Sequence, residues 1–160
     1  MSAQAREPGA GPVEVAHAAV RGAVAAMAMT GMRAFTVHAG LVDEPPPRAI
    51  VRQKARGLMR LVPRKRRRGA IELFHWTYGA GGGAAFGMLP DGVRRRRWAG
   101  PVYGLAVWLG FELGLAPSLG LKQARQVRPL ERCALAADHL LYGFVLSEMR
   151  ARPSEDKHEG

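Results

Sequence analysis

Residues 99–121 read AGPVYGLAVWLGFELGLAPSLGL, and the only charged residue among them is Glu112. A helix that crosses a bilayer needs roughly 20 consecutive, mostly apolar residues, so this stretch is long enough to span a membrane. Three further stretches of mostly apolar character lie at about 18–42, 69–90 and 131–149. The sequence therefore predicts an all-α fold, a four-helix transmembrane bundle within residues 14–149.

The segments that connect these stretches are strongly basic. The chain carries 24 Lys and Arg against 13 Asp and Glu. Residues 43–68 contain ten Lys and Arg, and residues 122–132 contain four. Because the cytoplasmic loops of membrane proteins carry the excess of positive charge, we expect both loops in the cytoplasm. Both termini would then lie on the opposite side of the membrane.

The first loop also contains a helical pattern of its own. At about 47–62, apolar residues form one stripe at helical spacing, and a second, basic stripe consists of Arg48, Arg52, Arg56 and Arg60. Basic amphipathic helices bind anionic lipid surfaces, so we expect these arginines to contact lipid head groups. The arginine runs border apolar stretches and lack interleaved aromatic residues, so nucleic acid is not an expected partner. Residues 1–13 are predicted to be disordered, and 150–160 form a charged tail.

Two alternatives compete with the membrane prediction. In a cleaved signal peptide, Arg21 would be the basic flank and Ala26-Met27-Ala28 the cleavage site. However, Glu7 and Glu14 are unusual in the basic start of such a peptide, and apolar sequence continues past the site. The other alternative is a soluble helical bundle with glycine-rich loops. The many glycines favour the membrane, because each glycine inside a soluble helix costs ~1 kcal/mol relative to alanine.

Glycine recurs at every fourth position in two of the apolar stretches. Gly79, Gly83 and Gly87 would share one helix face, and so would Gly100 and Gly104. Small residues at this spacing let membrane helices approach one another closely. We therefore expect these five glycines to lie in helix–helix contacts.

Several polar residues lie inside the apolar stretches, where lipid disfavours them, and seven of them are candidates for a functional site. Ionisable groups in transmembrane segments face the bundle interior and mark functional sites. The predicted functional polar core consists of Glu72, His75, Tyr78, Glu112, Asp138, His139 and Tyr142. The alternative for each residue is a structural role in hydrogen bonding between helices.

One short motif occurs twice. The pattern His-x-x-Tyr-Gly begins at His75 in the second stretch and again at His139 in the fourth. Gly22 and Gly100 open the first and third stretches in a comparable way. The repetition indicates two parallel helical hairpins related by duplication, and chance recurrence of common membrane residues is the alternative.

Motifs that would identify an enzyme are incomplete. Residues 79–84 match the glycine pattern of dinucleotide-binding loops but lack the strand before it and the acidic residue after it. Glu72-x-x-His75 resembles part of a di-iron site, which needs a second copy and two more glutamates. Cys133 is the only cysteine, so no cysteine-based zinc site can form. We expect no cofactor, no bound metal and no enzymatic activity, with a membrane-embedded metalloenzyme as the remote alternative.

These features together resemble the YagU-like bacterial inner-membrane proteins, especially actinobacterial membrane proteins of similar size. The likeness covers about residues 14–150. Its motifs are Pro45-Pro46-Pro47-Arg48 after the first stretch, His75, Gly100, Gly104, Trp108, Pro117 and Asp138-His139. The resemblance implies a multi-pass inner-membrane protein, and the family lends no established activity or ligand.

The polar core suggests what the bundle does. We expect a small channel- or transporter-like protein in which His75 and His139 respond to protons, because histidine titrates near neutral pH. Glu72, Glu112 and Asp138 would be their partners. The alternative is a non-enzymatic assembly or lipid-organising protein that uses the basic helix. A homo-oligomer is compatible with either hypothesis.

Overall fold

The computed structural model of the protein describes residues 11–40, 60–118, 120 and 129–148. Throughout these ranges the regular structure is helical and no residue belongs to a strand, so the predicted all-α class is confirmed. The predicted amphipathic helix at about 47–62, with Arg48, Arg52 and Arg56, lies outside the described residues except for its last three. The charged tail, 150–160, lies outside them as well.

Four long helices and one short helix make up the described structure. The long helices are α1 (Pro12–His38), α2 (Arg67–Gly87), α4 (Ala99–Ser118) and α5 (Pro129–Glu148). The short helix α3 (Asp91–Arg94) lies in the turn between α2 and α4, and a 3₁₀ turn (Arg64–Arg66) precedes α2. Helix α4 is α-helical over Ala99–Leu109, π-helical over Gly110–Leu115 and α-helical again over Ala116–Ser118.

The ends of α1 differ from the prediction. The sequence predicts disorder through residue 13, but α1 begins at Pro12. Proline suits the first position of a helix, because its fixed φ is helical and its missing N–H is not needed there. Helix α1 then ends at His38 rather than near 42. Gly40 follows with a left-handed φ of 69°, a conformation that commonly ends helices.

The long helices pack in the order α2, α1, α5, α4. Helix α1 packs along both α2 and α5, and α4 packs along α5. No comparable packing joins α2 to α4, although both helices are fully described. The bundle is therefore closed on three sides and open on the fourth, between α2 and α4.

Small side chains fill the closed interfaces. Ala25, Ala26 and Ala99 are buried, and the largest fully buried side chains are those of Phe86 and Leu146. With so few large side chains between them, the helix backbones come close together. This is the packing that membrane helices use, because lipid offers no hydrophobic driving force between them.

Glycines make the contact between α1 and α2. A Cβ atom added to Gly22 would lie 2.7 Å from the Cα of Gly83, and it would also meet the carbonyl oxygen of Gly79. A Cβ on Gly87 would lie 2.7 Å from that of Ala18. The three glycines of α2 that were predicted to pack therefore all lie against α1.

The second hairpin uses equivalent contacts. A Cβ on Gly100 would lie 2.6 Å from the Cβ of Ser147 and would meet the carbonyl oxygen of Gly143. A Cβ on Gly104 would lie 3.1 Å from the amide nitrogen of Gly143. Gly143 ends the second copy of His-x-x-Tyr-Gly, as Gly79 ends the first. The two hairpins thus join their helices at corresponding residues, which supports duplication over chance recurrence.

The turn between α2 and α4 is held to α1 by an ion pair. The buried guanidinium of Arg94 lies 3.2 Å from Glu14 Oε2 and also pairs with Asp91. One arginine of the basic run 94–97 therefore fastens this turn to the first turn of α1.

The close approach of α1 and α2 can be tested with two glycine-to-alanine variants of α2. Gly83→Ala should destabilise the protein, because its methyl group collides with the backbone of α1, and overpacking costs roughly 1–3 kcal/mol. Gly81→Ala is the matched control on α2, since nothing lies within 4 Å of the added Cβ, and its higher helix propensity should stabilise the protein by up to ~1 kcal/mol. Denaturant unfolding in detergent, followed by circular dichroism, measures both. Equal stabilities of the two variants would contradict this packing.

Candidate functional site

A cavity of about 500 Å³ lies inside the open side of the bundle. All four long helices line it, and α2 and α4 supply most of the lining. Its lining residues lie in the C-terminal half of α1 and in the middle parts of α2, α4 and α5. The cavity therefore lies near the middle of the bundle.

Arg33 of α1 is the centre of the polar groups along this cavity. Its Nε donates to Oδ2 of Asp138 on α5 at 3.4 Å, and its Nη2 lies 3.0 Å from Nε2 of His75 on α2. Only 6% of Arg33 and 4% of Asp138 is exposed. One guanidinium thus links three helices through a buried ion pair and a hydrogen bond.

The contact with Arg33 fixes the proton on His75. A guanidinium has donors only, so Nε2 of His75 must accept the hydrogen bond. A neutral imidazole then carries its proton on Nδ1, and this buried N–H has no hydrogen-bond partner among the described residues. Taking up a second proton at Nε2 would break the bond to Arg33 and place two cations side by side.

His139 has the opposite arrangement. Its Nδ1 lies 2.8 Å from the carbonyl oxygen of Leu135, which can only accept, so Nδ1 carries the proton. The lone pair of Nε2 is then available to a proton, and His139 lines the cavity. Of the two histidines predicted to respond to protons, the geometry favours His139.

Two tyrosines that line the cavity donate hydrogen bonds to the backbone of α2. The hydroxyl of Tyr142 on α5 donates to the carbonyl oxygen of Gly79 at 2.7 Å, and Tyr103 on α4 donates to that of Gly82 at 2.7 Å. Both acceptors are backbone carbonyl oxygens within the helix α2. The bond from Tyr103 connects α2 with α4 directly across the open side of the bundle.

Glu112 lies on the wall of the cavity in an unusual backbone. It is the only charged residue of α4 and belongs to the π-helical stretch. It makes no hydrogen bond or ion pair with any residue that the structure describes. π-Helical segments are rare and are frequent at functional sites, so this carboxylate is a candidate for contact with a ligand.

Glu72 belongs to a separate network between α1 and α2. Thr30 Oγ1 lies 3.1 Å from Glu72 Oε2 and accepts a hydrogen bond from Trp76 Nε1 at 3.1 Å. Glu72 does not line the cavity. Its contacts match the structural alternative, in which a polar side chain joins two helices.

The structure thus places six of the seven predicted polar residues around one cavity and the seventh beside it. The six are His75, Tyr78, Glu112, Asp138, His139 and Tyr142. Sequence reasoning missed Arg33 as a site residue, although it is as unusual inside an apolar stretch as the acids and histidines. It also did not predict Thr30, Tyr103 or Trp108 as site residues. Trp108 was named only among the motifs of the family resemblance, and nothing in the residue type or spacing of Thr30 and Tyr103 separates them from ordinary packing residues.

The two hairpins differ at the positions that correspond to the central ion pair. Arg33 lies eleven residues after Gly22, and Phe111 lies eleven after Gly100. Asp138 lies five residues before Gly143, and the residue five before Gly79 is Phe74. The positions of Arg33 on α1 and Asp138 on α5 therefore correspond to those of Phe111 on α4 and Phe74 on α2. Both phenylalanines line the cavity.

Comparisons with known proteins identify no relative. No protein-family model matches the chain, and no curated protein or solved structure matches it. Within the described residues, no group of three or more His, Cys, Asp and Glu side chains is arranged to hold a metal ion. The resemblance to the YagU-like proteins stays a prediction.

The central ion pair gives a double-mutant test. Arg33→Met should lower the free energy of unfolding by ~3–5 kcal/mol, because it leaves the Asp138 carboxylate buried without its partner. Adding Asp138→Leu should recover most of this loss, since replacing both partners of a buried pair by apolar residues is often close to neutral. Denaturant unfolding in detergent of the wild type, both single variants and the double variant measures the coupling. Additive losses would contradict a direct interaction.

Proposed function

We propose that the chain is a multi-pass membrane protein whose long helices α1, α2, α4 and α5 cross the bilayer as a four-helix bundle. The observation that carries this proposal is the distribution of side chains. Charged and polar residues meet inside the bundle, whereas large apolar residues on every long helix are exposed. Examples are Val20 and Phe35 on α1, Leu73 on α2, Val102 and Leu113 on α4, and Leu140 and Phe144 on α5. Exposed apolar surface of this extent is rare on soluble monomers and marks contact with a membrane or partner.

Two of the helices have the length and composition of membrane spans. Pro12–His38 and Ala99–Ser118 each contain a sufficiently apolar window, and only 28% and 22% of these windows are buried. The core helix of a soluble protein passes the same test of composition but is mostly buried. Helices α2 and α5 are less apolar, in part because they contain His75, Asp138 and His139, which line the cavity. Such residues are tolerated in a membrane when they face the bundle interior.

Loop charge supports an orientation and a location for this bundle. We place loops 43–68 and 122–132 in the cytoplasm and both termini outside a bacterial inner membrane, following their excess of Lys and Arg. The basic residues at 48, 52, 56 and 60 would then contact anionic lipid head groups. A relation to the YagU-like inner-membrane proteins is part of the same proposal.

The cavity supports a transporter-like function in which His139 accepts protons. A buried ion pair closes the bundle between α1 and α5, while the opposite side stays open between α2 and α4. His139 lines this cavity beside Asp138, and its Nε2 is the ring nitrogen without a proton. Histidine and acid chains within transmembrane bundles are typical of proton relays.

The experiment uses proteoliposomes that contain a pH-sensitive dye. We expect the reconstituted protein to resist extraction by alkaline carbonate and to dissipate an imposed pH gradient. His139→Ala should slow the dissipation by at least about tenfold, because it removes the titrating group of the relay. His38→Ala is the matched control, since His38 is the exposed last residue of α1, and it should leave the rate unchanged.

Two outcomes would count against the proposal, and they are separable. Release of the protein by carbonate would overturn membrane insertion. Firm insertion with equal rates for His139→Ala, His38→Ala and the wild type would leave the bundle in place and remove the proton step.

A further inference from the structure

We propose that the cavity between α2 and α4 binds a lipophilic organic cation, with Glu112 as its counter-ion. This inference rests on the proposed membrane bundle and names the chemical class of its ligand. The charges, the aromatic lining and the position of the opening each point to this class.

The charges along the cavity leave one carboxylate uncompensated. Its lining contains one guanidinium, Arg33, and two carboxylates, Asp138 and Glu112. Arg33 and Asp138 neutralise each other as an ion pair. The hydrogen bond from Arg33 keeps His75 neutral, and His139 adds no positive charge while its Nε2 is unprotonated. Glu112 therefore gives the cavity a net negative charge that a cationic ligand would balance.

Asp138 contributes a second hydrogen-bond acceptor to the site. One of its carboxylate oxygens, Oδ2, faces Arg33, whereas Oδ1 is buried and has no hydrogen-bond partner among the described residues. A buried carboxylate oxygen without a donor is costly. An ammonium group in the cavity would supply that donor, and a quaternary or phosphonium cation would supply charge alone.

Aromatic rings make up much of the remaining lining. The aromatic lining residues are Phe74, Tyr78, Tyr103, Trp108, Phe111 and Tyr142. The faces of aromatic rings attract cations, most strongly where water is excluded, and such rings recognise quaternary ammonium groups. An anion would be repelled by Glu112, and the positive charge of Arg33 is already balanced by Asp138.

The opening of the cavity suits a ligand that dissolves in lipid. The gap lies between α2 and α4, where Phe74 is 59% and Tyr78 is 52% exposed. In a bilayer these side chains would border the acyl chains. The volume of about 500 Å³ lies within the range of roughly 300–1,000 Å³ that is typical of sites for small molecules.

Tetraphenylphosphonium and tetraphenylborate test this inference, because they share size and shape and differ in the sign of their charge. Isothermal titration of the purified full chain in detergent should show saturable binding of tetraphenylphosphonium and none of tetraphenylborate beyond partition into empty micelles. Glu112→Gln should weaken binding of the cation at least about tenfold. Glu72→Gln is the matched control, since its carboxylate lies outside the cavity lining, and it should bind as the wild type does.

The possible failures are distinguishable from one another. Equal binding of the two ions, or wild-type affinity in Glu112→Gln, would overturn the assignment of a cation site while leaving the membrane bundle intact. Circular dichroism shows whether Glu112→Gln is folded. If that variant is unfolded, Glu112→Asp replaces it, which keeps the charge but shortens its reach and should weaken binding less than tenfold. A wild-type chain that is folded and monodisperse without detergent would overturn the membrane proposal itself.

Discussion

The buried ion pair between Arg33 and Asp138 determines which helices form the centre of the bundle. An isolated charge in a medium of low dielectric constant is too costly to persist, so neither α1 nor α5 is stable in a membrane with its charge facing lipid. Packing the two helices against each other satisfies both charges at once. The same guanidinium then holds His75, which adds α2 to the pair. The position of three of the four long helices therefore follows from one buried arginine.

Close packing through glycine accounts for the rest of the architecture. Gly22 against Gly83, and Gly100 against Gly143, allow each hairpin to form with its backbones nearly in contact. Equivalent hairpins would give two equivalent interfaces, one between α1 and α5 and one between α4 and α2. The sequence breaks this equivalence, because phenylalanines stand where the ion pair would be. The interface with the charges is closed, and the interface with the phenylalanines contains the cavity.

Much of this arrangement could be predicted from residue type and spacing alone. Glycines at every fourth position predicted the helix contacts, and the sequence predicted four of the five charged or histidine residues that line the cavity. The sequence did not reveal which polar side chains are hydrogen-bonded or ion-paired with one another. Glu72 and Asp138 look alike in the sequence, yet one bonds to a threonine hydroxyl and the other to an arginine. The side of the bundle that opens, and the π-helical backbone at Glu112, depend on packing between helices far apart in the chain, and local patterns do not encode it.

The most direct test of the account is whether the outward apolar faces contact lipid while the polar residues meet inside. Nitroxide labels at Leu113→Cys and Phe144→Cys, in a chain with Cys133→Ser, probe two exposed positions on α4 and α5. In lipid bilayers, the account predicts that both labels are relaxed strongly by oxygen, which concentrates among acyl chains, and weakly by a water-soluble nickel chelate. Strong relaxation by the chelate and weak relaxation by oxygen at both positions would show a bundle in water, and would contradict it.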